Sequence, residues 1–195
     1  LVMGAEVHST ALDMTPRGRM MSVIFGDGAG AVILQATDAP HQILATKLHS
    51  DGTHFDKLWC EAPASLYHPW LTPELIEQGR IHPTMDARYV FEHAVNFMSL
   101  VCEEILVETN YKNTDINWVI PHQANLRIIE AIASKLEVPV EKVALTIQKY
   151  GNTSSASIPV TLDEWVRAGK IRPGDLILMT SFGSGFSWGA TLIKW

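Results

Sequence analysis

Apolar runs of strand length alternate with longer amphipathic segments along this chain. In residues 85–110, apolar side chains recur at the three- and four-residue spacing of a helix, and the run 117–121 that follows has the length of a buried strand. Residues 126–136 and 158–168 repeat the helical spacing. Because helices connect neighbouring strands in this arrangement, the pattern predicts an α/β fold built on a parallel sheet.

The remaining apolar runs complete the predicted sheet. Strands are predicted at 1–7, 22–25, 29–34, 42–48, 117–121, 143–146, 175–180 and 190–195, with a glycine-rich hairpin between the last two. Residues 49–83 are rich in proline and aromatic residues, which predicts a long irregular excursion. Long loops in compact domains commonly carry function.

The composition is that of a packed protein without a nucleic-acid partner. The 195 residues are 47% hydrophobic, and 15 Lys and Arg against 21 Asp and Glu give a net charge of −6. No block of like charges supplies the basic stripe that neutralisation of phosphates needs. We therefore expect no binding to nucleic acid.

Cysteine usage and hydropathy indicate a protein of the reducing cytoplasm. Cys60 and Cys102 are too few for a disulfide framework. The uncharged stretch 176–193 is interrupted by glycine and serine, so no membrane span is predicted. The eight histidines show no ligand spacing, so no metal site is predicted. The chain opens on an apolar run of strand type without an initiating Met, and we expect it to begin partway through a fold.

Three segments carry more polar residues and glycine than packing requires. They are Pro-His-Gln-Ala-Asn-Leu-Arg at 121–127, Gly-Asn-Thr-Ser-Ser-Ala-Ser-Ile-Pro at 151–159 and Phe-Gly-Ser-Gly-Phe-Ser-Trp-Gly at 182–189. Taken singly, they are compatible with a structural histidine, a capped turn and a hairpin with glycine at positive φ. Together, in this order and spacing, they indicate an active site at the edge of a sheet.

These three segments, with Phe-Gly-Asp-Gly-Ala-Gly-Ala at 25–31, closely resemble β-ketoacyl-acyl-carrier-protein synthase III, the initiating condensing enzyme of type II fatty-acid synthesis. The resemblance covers the whole chain. It implies a thiolase-like layered αβαβα fold of two similar halves. Residues 1–40 would be the last strands of the N-terminal half, and residues 41–195 the whole C-terminal half.

The resemblance also implies a reaction: decarboxylative Claisen condensation of malonyl-acyl-carrier-protein with an acyl-CoA primer. His122 and Asn152 would be the catalytic hydrogen-bond donors, and the backbone N–H of Ser184 would hold an oxyanion. The resemblance places the nucleophilic Cys on an upstream segment, in the N-terminal half. Cys102, inside a predicted helix, and Cys60, in an irregular loop, do not match that position. Coenzyme A enters as a thioester substrate, with no separate cofactor.

The resemblance assigns the remaining site residues to binding. Residues Gln123, Ala124, Asn125, Leu126 and Arg127 would contact the carrier protein or the pantetheine arm, Arg17 the nucleotide of coenzyme A, and Phe91 the pantetheine channel. The complete enzyme would be a homodimer with no nucleic-acid or membrane partner.

Two other functions are compatible with the residues. The chain could be a noncatalytic partner or inactive fragment of a condensing-enzyme heterodimer, although the presence of both His122 and Asn152 argues against that. A Cys-His hydrolase using Cys60 is the third and weakest interpretation.

Overall fold

A computed structural model describes residues 1–195, which form eight strands and six α-helices. The strands are β1 (Val2–Glu6), β2 (Gly28–Val32), β3 (Gln42–Ser50), β4 (Leu58–Trp59), β5 (Thr84–Met85), β6 (Trp118–Pro121), β7 (Leu176–Gly183) and β8 (Ser187–Lys194). The helices are α1 (Arg19–Ser22), α2 (Pro73–Glu77), α3 (Ala87–Thr109), α4 (Leu126–Lys135), α5 (Ile147–Tyr150) and α6 (Ser157–Arg167).

The three predicted helices are confirmed as α3, α4 and α6. Polar residues cap both ends of helix α3, a role that the apolar periodicity does not predict. The side chain of Asp86 accepts a hydrogen bond from Tyr89 N at the first turn, and Asn110 ends the helix in the left-handed conformation, with φ +57°. These residues satisfy backbone groups that a helix end leaves without partners.

The main sheet is mixed, which corrects the prediction of a parallel sheet. Its strand order is β3-β8-β7-β6; only β6 and β7 run parallel, and β8 is antiparallel to both of its neighbours. The reason is the hairpin between β7 and β8, in which Gly183 pairs with Ser187. A connection this short can join only antiparallel strands.

Two further strand predictions are wrong. Residues 22–25 follow the short helix α1, and only Phe25 makes a bridge, to Asn152. Residues 143–146 contribute a single bridge, from Val143 to Val119, because a side chain takes up the backbone N–H of Thr146. Apolar runs of four residues do not distinguish a strand from other buried backbone.

The sheet has an apolar core on each face. Alternating residues of β7 point to opposite faces: Leu178 packs with α3 and α4 in the larger core, whereas Ile177 packs with α6 in the smaller one. This is the two-residue period of a strand buried on both sides. Helix α6 lies between the main sheet and β2, because its other side contacts β2.

Strands β1 and β2 form a separate antiparallel ribbon on the far side of α6. Glycine allows the close approach: a Cβ atom at Gly4 would lie 2.4 Å from Ser155 O, and one at Gly30 would lie 2.8 Å from the Pro159 ring. The opposite face of the ribbon is uncovered, with Met3 71% and Ile33 80% exposed. The layers are thus α3 and α4, the main sheet, α6, and the ribbon.

The excursion between β3 and α3 is irregular, as predicted. It contains α2, which Thr72 caps, and the two-residue pairing of β4 with β5. None of the helices in the structure combines the length and apolar character needed to cross a bilayer.

We expect residues 1–195 produced alone to self-associate, because β1 and β2 present open edges and an uncovered apolar face. Sedimentation velocity over a range of concentrations measures this. Placing charge on the face with Met3→Lys and Ile33→Lys should shift the population towards monomer. The control Val107→Lys, at an exposed position of α3, should not. A wild-type chain that stays monomeric and unfolds cooperatively contradicts this interpretation.

Candidate active site

His122 lies directly after β6, at the carboxyl end of the parallel pair β6–β7. Its backbone N–H donates to Thr180 O at 2.8 Å, which extends the β6–β7 pairing by one residue. The ring is fixed through Nδ1, which lies 2.7 Å from Ser157 Oγ at the start of α6. Burial lowers the pKa of His122 to about 4, so the imidazole is neutral at pH 7.

The other ring nitrogen of His122 is available to a ligand. Nε2 makes no hydrogen bond within the chain, and the only buried side-chain nitrogen or oxygen atom without a partner is His8 Nε2. The Nε2 atom of His122 is therefore not buried. His122 thus has one nitrogen held by the protein and one open to a substrate.

Asn152 is held by the loop between α5 and α6. Gly151 turns the chain with φ +66°, a conformation that disfavours a side chain. The backbone of Asn152 then bonds on both sides, its N–H donating to Ile24 O at 3.0 Å and its carbonyl accepting from Gly26 N at 2.9 Å. The side-chain Oδ1 accepts from Ser154 N at 2.8 Å. The Nδ2 group has no partner within the chain and is not buried.

The sequence analysis predicts that Gln123 is a binding residue, but the structure shows its side chain buried inside the protein. Its side chain is 1% exposed. Nε2 donates to the carbonyls of Pro121 and Ala144, and Oε1 accepts from the N–H groups of Thr146 and Ile147. All of the hydrogen-bonding capacity of this side chain is used inside the protein, which leaves no polar group to offer to a carrier protein or a pantetheine arm. It joins the end of β6 to the segment that leads into α5 and Asn152.

The glycine-rich hairpin presents a free backbone donor. The N–H of Ser184 makes no hydrogen bond within the chain, whereas its hydroxyl donates to Leu58 O at 2.6 Å. Gly185 has φ +136°, which explains the glycine. Reciprocal backbone bonds of 2.7 and 2.8 Å join Phe186 to Asp51. The hairpin is therefore fastened at two points, Asp51 and Leu58, to the first part of the excursion that follows β3.

A cluster of aromatic and histidine rings, which the sequence analysis does not predict, supports this hairpin. The His54 ring stacks on Phe186 with centroids 5.1 Å apart, and its Nδ1 lies 2.9 Å from Tyr89 OH. Tyr89 in turn stacks on His93 at 4.0 Å. Tyr89 and His93 are one turn apart on α3, whereas His54 and Phe186 are distant in sequence and reach them only when α3 packs under the hairpin.

The start of α4 is exposed beside His122. Asn125 caps the helix, its Oδ1 accepting from Arg127 N at 2.9 Å. Leu126 is exposed, Ala124 packs against the larger core, and the Arg127 side chain is exposed without an ion pair or hydrogen bond. The backbone cap is the defined role of Asn125, and Arg127 carries a free positive charge.

The other two predicted binding residues have structural partners. Arg17 Nε donates to Asp13 at 2.6 Å, and its Nη1 donates to Glu77 O at 3.0 Å, so Arg17 clamps the loop before α1 to the end of α2. Phe91 lies on α3 and packs against the larger core.

Neither cysteine has the surroundings of a nucleophile. Burial raises the pKa of the Cys102 thiol to about 12, so thiolate is absent near neutral pH. Cys60 Sγ lies 3.2 Å from the carbonyls of Ala62 and Ile81, and no histidine bonds to it. This geometry does not support a Cys-His hydrolase. No three His, Cys, Asp or Glu side chains are arranged to hold a metal ion.

Comparison with known families matches both ends of the chain. The family described as "3-Oxoacyl-[acyl-carrier-protein (ACP)] synthase III C terminal" matches residues 106–195, and "3-Oxoacyl-[acyl-carrier-protein (ACP)] synthase III" matches residues 1–52. The β-ketoacyl-[acyl-carrier-protein] synthases III of Paramagnetospirillum magneticum and Xanthomonas euvesicatoria are each 44% identical over the whole chain.

Solved structures agree. The 3-oxoacyl-[acyl-carrier-protein] synthase III of Aquifex aeolicus aligns with 99% of this chain at 42% identity and a TM-score of 0.87, covering 56% of that structure. The priming β-ketosynthase of the R1128 polyketide pathway aligns with 98% of the chain and 56% of that structure, at 31% identity and a TM-score of 0.83. The chain belongs to the β-ketoacyl-[acyl-carrier-protein] synthase III family and has its thiolase-like α/β fold. It spans 58% of the length of the two curated relatives.

The pKa of His122 provides a test of the site's electrostatics. Because its folded pKa of about 4 lies below the ordinary 6.5, the unfolded state binds the proton more readily between these values. This residue should therefore reduce folding stability as pH falls from 6.5 towards 4. We expect the His122 ring resonances to titrate near pH 4 in NMR spectra, with assignment by His122→Gln. A midpoint at or above 6.5 would contradict the buried environment.

Gln123 provides a test of the site's framework. Gln123→Met keeps the side-chain length but leaves buried backbone groups unpaired, at about 1–3 kcal/mol for each group. We expect the free energy of unfolding of the purified protein to fall by more than about 2 kcal/mol in urea titrations. The neighbouring control Asn125→Ala removes an exposed helix cap and should cost about 1 kcal/mol. Equal, small losses for both variants would contradict the role of Gln123.

Proposed function

We propose that this chain supplies the decarboxylation site of an acyltransferase that condenses malonyl-acyl-carrier-protein with an acyl-CoA primer in fatty-acid or related acyl-chain synthesis. The observation that carries the proposal is a pair of neutral donors, His122 Nε2 and Asn152 Nδ2. Neither donor atom has a partner within the chain. The other polar atom of each side chain, His122 Nδ1 or Asn152 Oδ1, is hydrogen-bonded and holds the side chain in place. Family membership supports the same reaction.

Loss of carbon dioxide from a malonyl thioester leaves an enolate, with negative charge growing on the thioester oxygen. Hydrogen-bond donors held where that charge develops lower the barrier, because they need no reorganisation during the reaction. His122 and Asn152 suit this task. A neutral imidazole donates one N–H, and the amide of Asn152 donates from Nδ2. No proton has to leave either residue in this step.

The condensation creates a second oxyanion, when the carbanion attacks the acyl thioester. The backbone N–H of Ser184 is the donor that we assign to it, since this N–H has no partner within the chain. The Ser184 hydroxyl is bonded to Leu58 O, 2.6 Å away, which supports a fixed position for the hairpin.

The acyl group needs a nucleophilic cysteine that we place on an upstream segment. The raised pKa of Cys102 and the main-chain contacts of Cys60 support this placement. In the proposal, residues 1–40 complete the N-terminal half and residues 41–195 form the C-terminal half. The complete protein, meaning this chain with its upstream segment, is proposed as a cytoplasmic homodimer that uses coenzyme A thioester as substrate and needs no other cofactor.

The surface at the start of α4 is the proposed docking point for the carrier protein. Arg127 offers an unpaired guanidinium for a phosphate or an acidic surface, beside the apolar Leu126. Ala124 and Asn125 lie between this surface and His122. Arg17 and Phe91 remain proposed contacts for coenzyme A, although their present partners also give them structural roles.

We expect His122→Ala and Asn152→Ala each to lower the rate of malonyl-acyl-carrier-protein decarboxylation in the complete protein by about a hundredfold to a thousandfold, because each removes one donor to the enolate. Release of labelled carbon dioxide measures this step apart from condensation. The controls His41→Ala and Asn96→Ala change exposed residues outside the site and should retain activity. A complete wild-type protein that binds malonyl-acyl-carrier-protein without decarboxylating it would instead indicate a noncatalytic partner.

Arg127→Ala should raise KM for malonyl-acyl-carrier-protein by about tenfold or more while kcat stays the same, since a charge-assisted contact is worth about 1.5–3 kcal/mol. Steady-state kinetics at low salt measures both constants. The control Arg167→Ala removes an exposed arginine that pairs with Asp163 on α6, and it should leave KM unchanged. Equal KM values for the Arg127 variant and wild type would remove Arg127 from the docking surface.

A further inference from the structure

Ser157 is bonded to one of the two proposed donors, His122, and is close in sequence to the other, Asn152. It is the first residue of α6, five positions after Asn152, and is 2% exposed. Its Oγ lies 2.7 Å from His122 Nδ1 and 3.2 Å from the backbone nitrogen of Gln123. These are the only hydrogen bonds of the Ser157 hydroxyl.

The position of the hydroxyl proton follows from these two contacts. The backbone N–H of Gln123 can only donate, so Ser157 Oγ accepts from it. If His122 Nδ1 also carried a proton, Oγ would accept twice and its own proton would have no acceptor in a buried site. An unsatisfied buried donor costs about 1–3 kcal/mol. The arrangement that satisfies every group has Ser157 Oγ–H donating to an unprotonated Nδ1.

We infer that Ser157 is a positioning residue that holds His122 in the tautomer with its proton on Nε2. Nε2 is the nitrogen that the protein leaves free. In the other tautomer, Nε2 would present a lone pair to the thioester oxygen and would repel the growing charge. The catalytic importance of this tautomer rests on the proposed function, but the tautomer itself does not.

The chain between His122 and Ser157 makes the arrangement rigid. Gln123 fixes the backbone beside His122 through its buried carboxamide. Ser157 O accepts from Thr161 Oγ1 at 2.7 Å, and Thr161 Oγ1 lies 2.6 Å from Thr146 Oγ1. The first turn of α6, which carries Ser157, is therefore linked to Thr146 in the segment that leads to Asn152.

The test is nitrogen NMR on the complete protein with ¹⁵N-labelled histidine, because the two nitrogens of a neutral imidazole have distinct shifts. At pH 7 we expect wild type to show an unprotonated Nδ1 and a protonated Nε2 at His122. Ser157→Ala should give a mixture of tautomers or a displaced Nδ1 resonance. Its decarboxylation kcat should fall about tenfold with KM unchanged, as expected for loss of about 1.4 kcal/mol.

Ser157→Thr restores a hydroxyl and should recover the wild-type spectrum and most of kcat. Ser155→Ala is the matched control, since this neighbouring hydroxyl bonds to Glu6 at 2.6 Å and not to the site. It should change neither spectrum nor rate.

Two results would overturn the inference: a proton on Nδ1 in wild type, or a Ser157→Ala protein that keeps both the wild-type spectrum and the wild-type rate. The wild-type spectrum decides the first even if Ser157→Ala does not fold. A wild-type protein with the expected tautomer, lost in Ser157→Ala, but without decarboxylase activity supports the assignment to Ser157. That result would overturn the proposed function alone.

Discussion

The buried carboxamide of Gln123 is the contact on which the geometry of the site depends. It makes four hydrogen bonds to backbone groups that would otherwise be unpaired in the interior. Through them, the end of β6 is fixed against residues 144–147, and the chain from there reaches Asn152 within one helical turn and a glycine. His122 and Asn152, thirty positions apart in sequence, thereby become parts of one rigid frame, made of the end of β6 and residues 144–152.

In the proposed reaction, this frame is what lets neutral groups act as strong donors. His122 lies where burial keeps its pKa low, so the ring approaches a substrate without a charge of its own. Both donors have their opposite atoms fixed, His122 by Ser157 and Asn152 by the Ser154 N–H. Donors that are held before the reaction contribute more than mobile ones, because their orientation cost has already been met during folding.

Helices α3, α4 and α6 were predictable because their apolar periodicity is long and regular. The mixed sheet was less so, since strand direction depends on how strands are connected and not on the strands themselves. The site shows a similar division. The family resemblance of the motifs predicted His122, Asn152 and Ser184, and in the structure each has a hydrogen-bond donor without a partner in the chain. The prediction of Gln123 as a binding residue did not anticipate its burial, because the identity of a polar residue in a motif does not show whether its side chain points to solvent or to the core. Ser157 belongs to a small-residue run, so its contact with His122 had no signal of its own.

A crystal structure of the complete protein with a nonhydrolysable malonyl-pantetheine amide tests the central claim most directly. The frame predicts that the carbonyl oxygen next to the amide nitrogen lies within about 3 Å of both His122 Nε2 and Asn152 Nδ2. It also predicts that His122 Nδ1 keeps its hydrogen bond with Ser157 Oγ. A carbonyl oxygen bound elsewhere, with either donor turned away from it, would contradict the claim that these residues form one enolate-stabilising site.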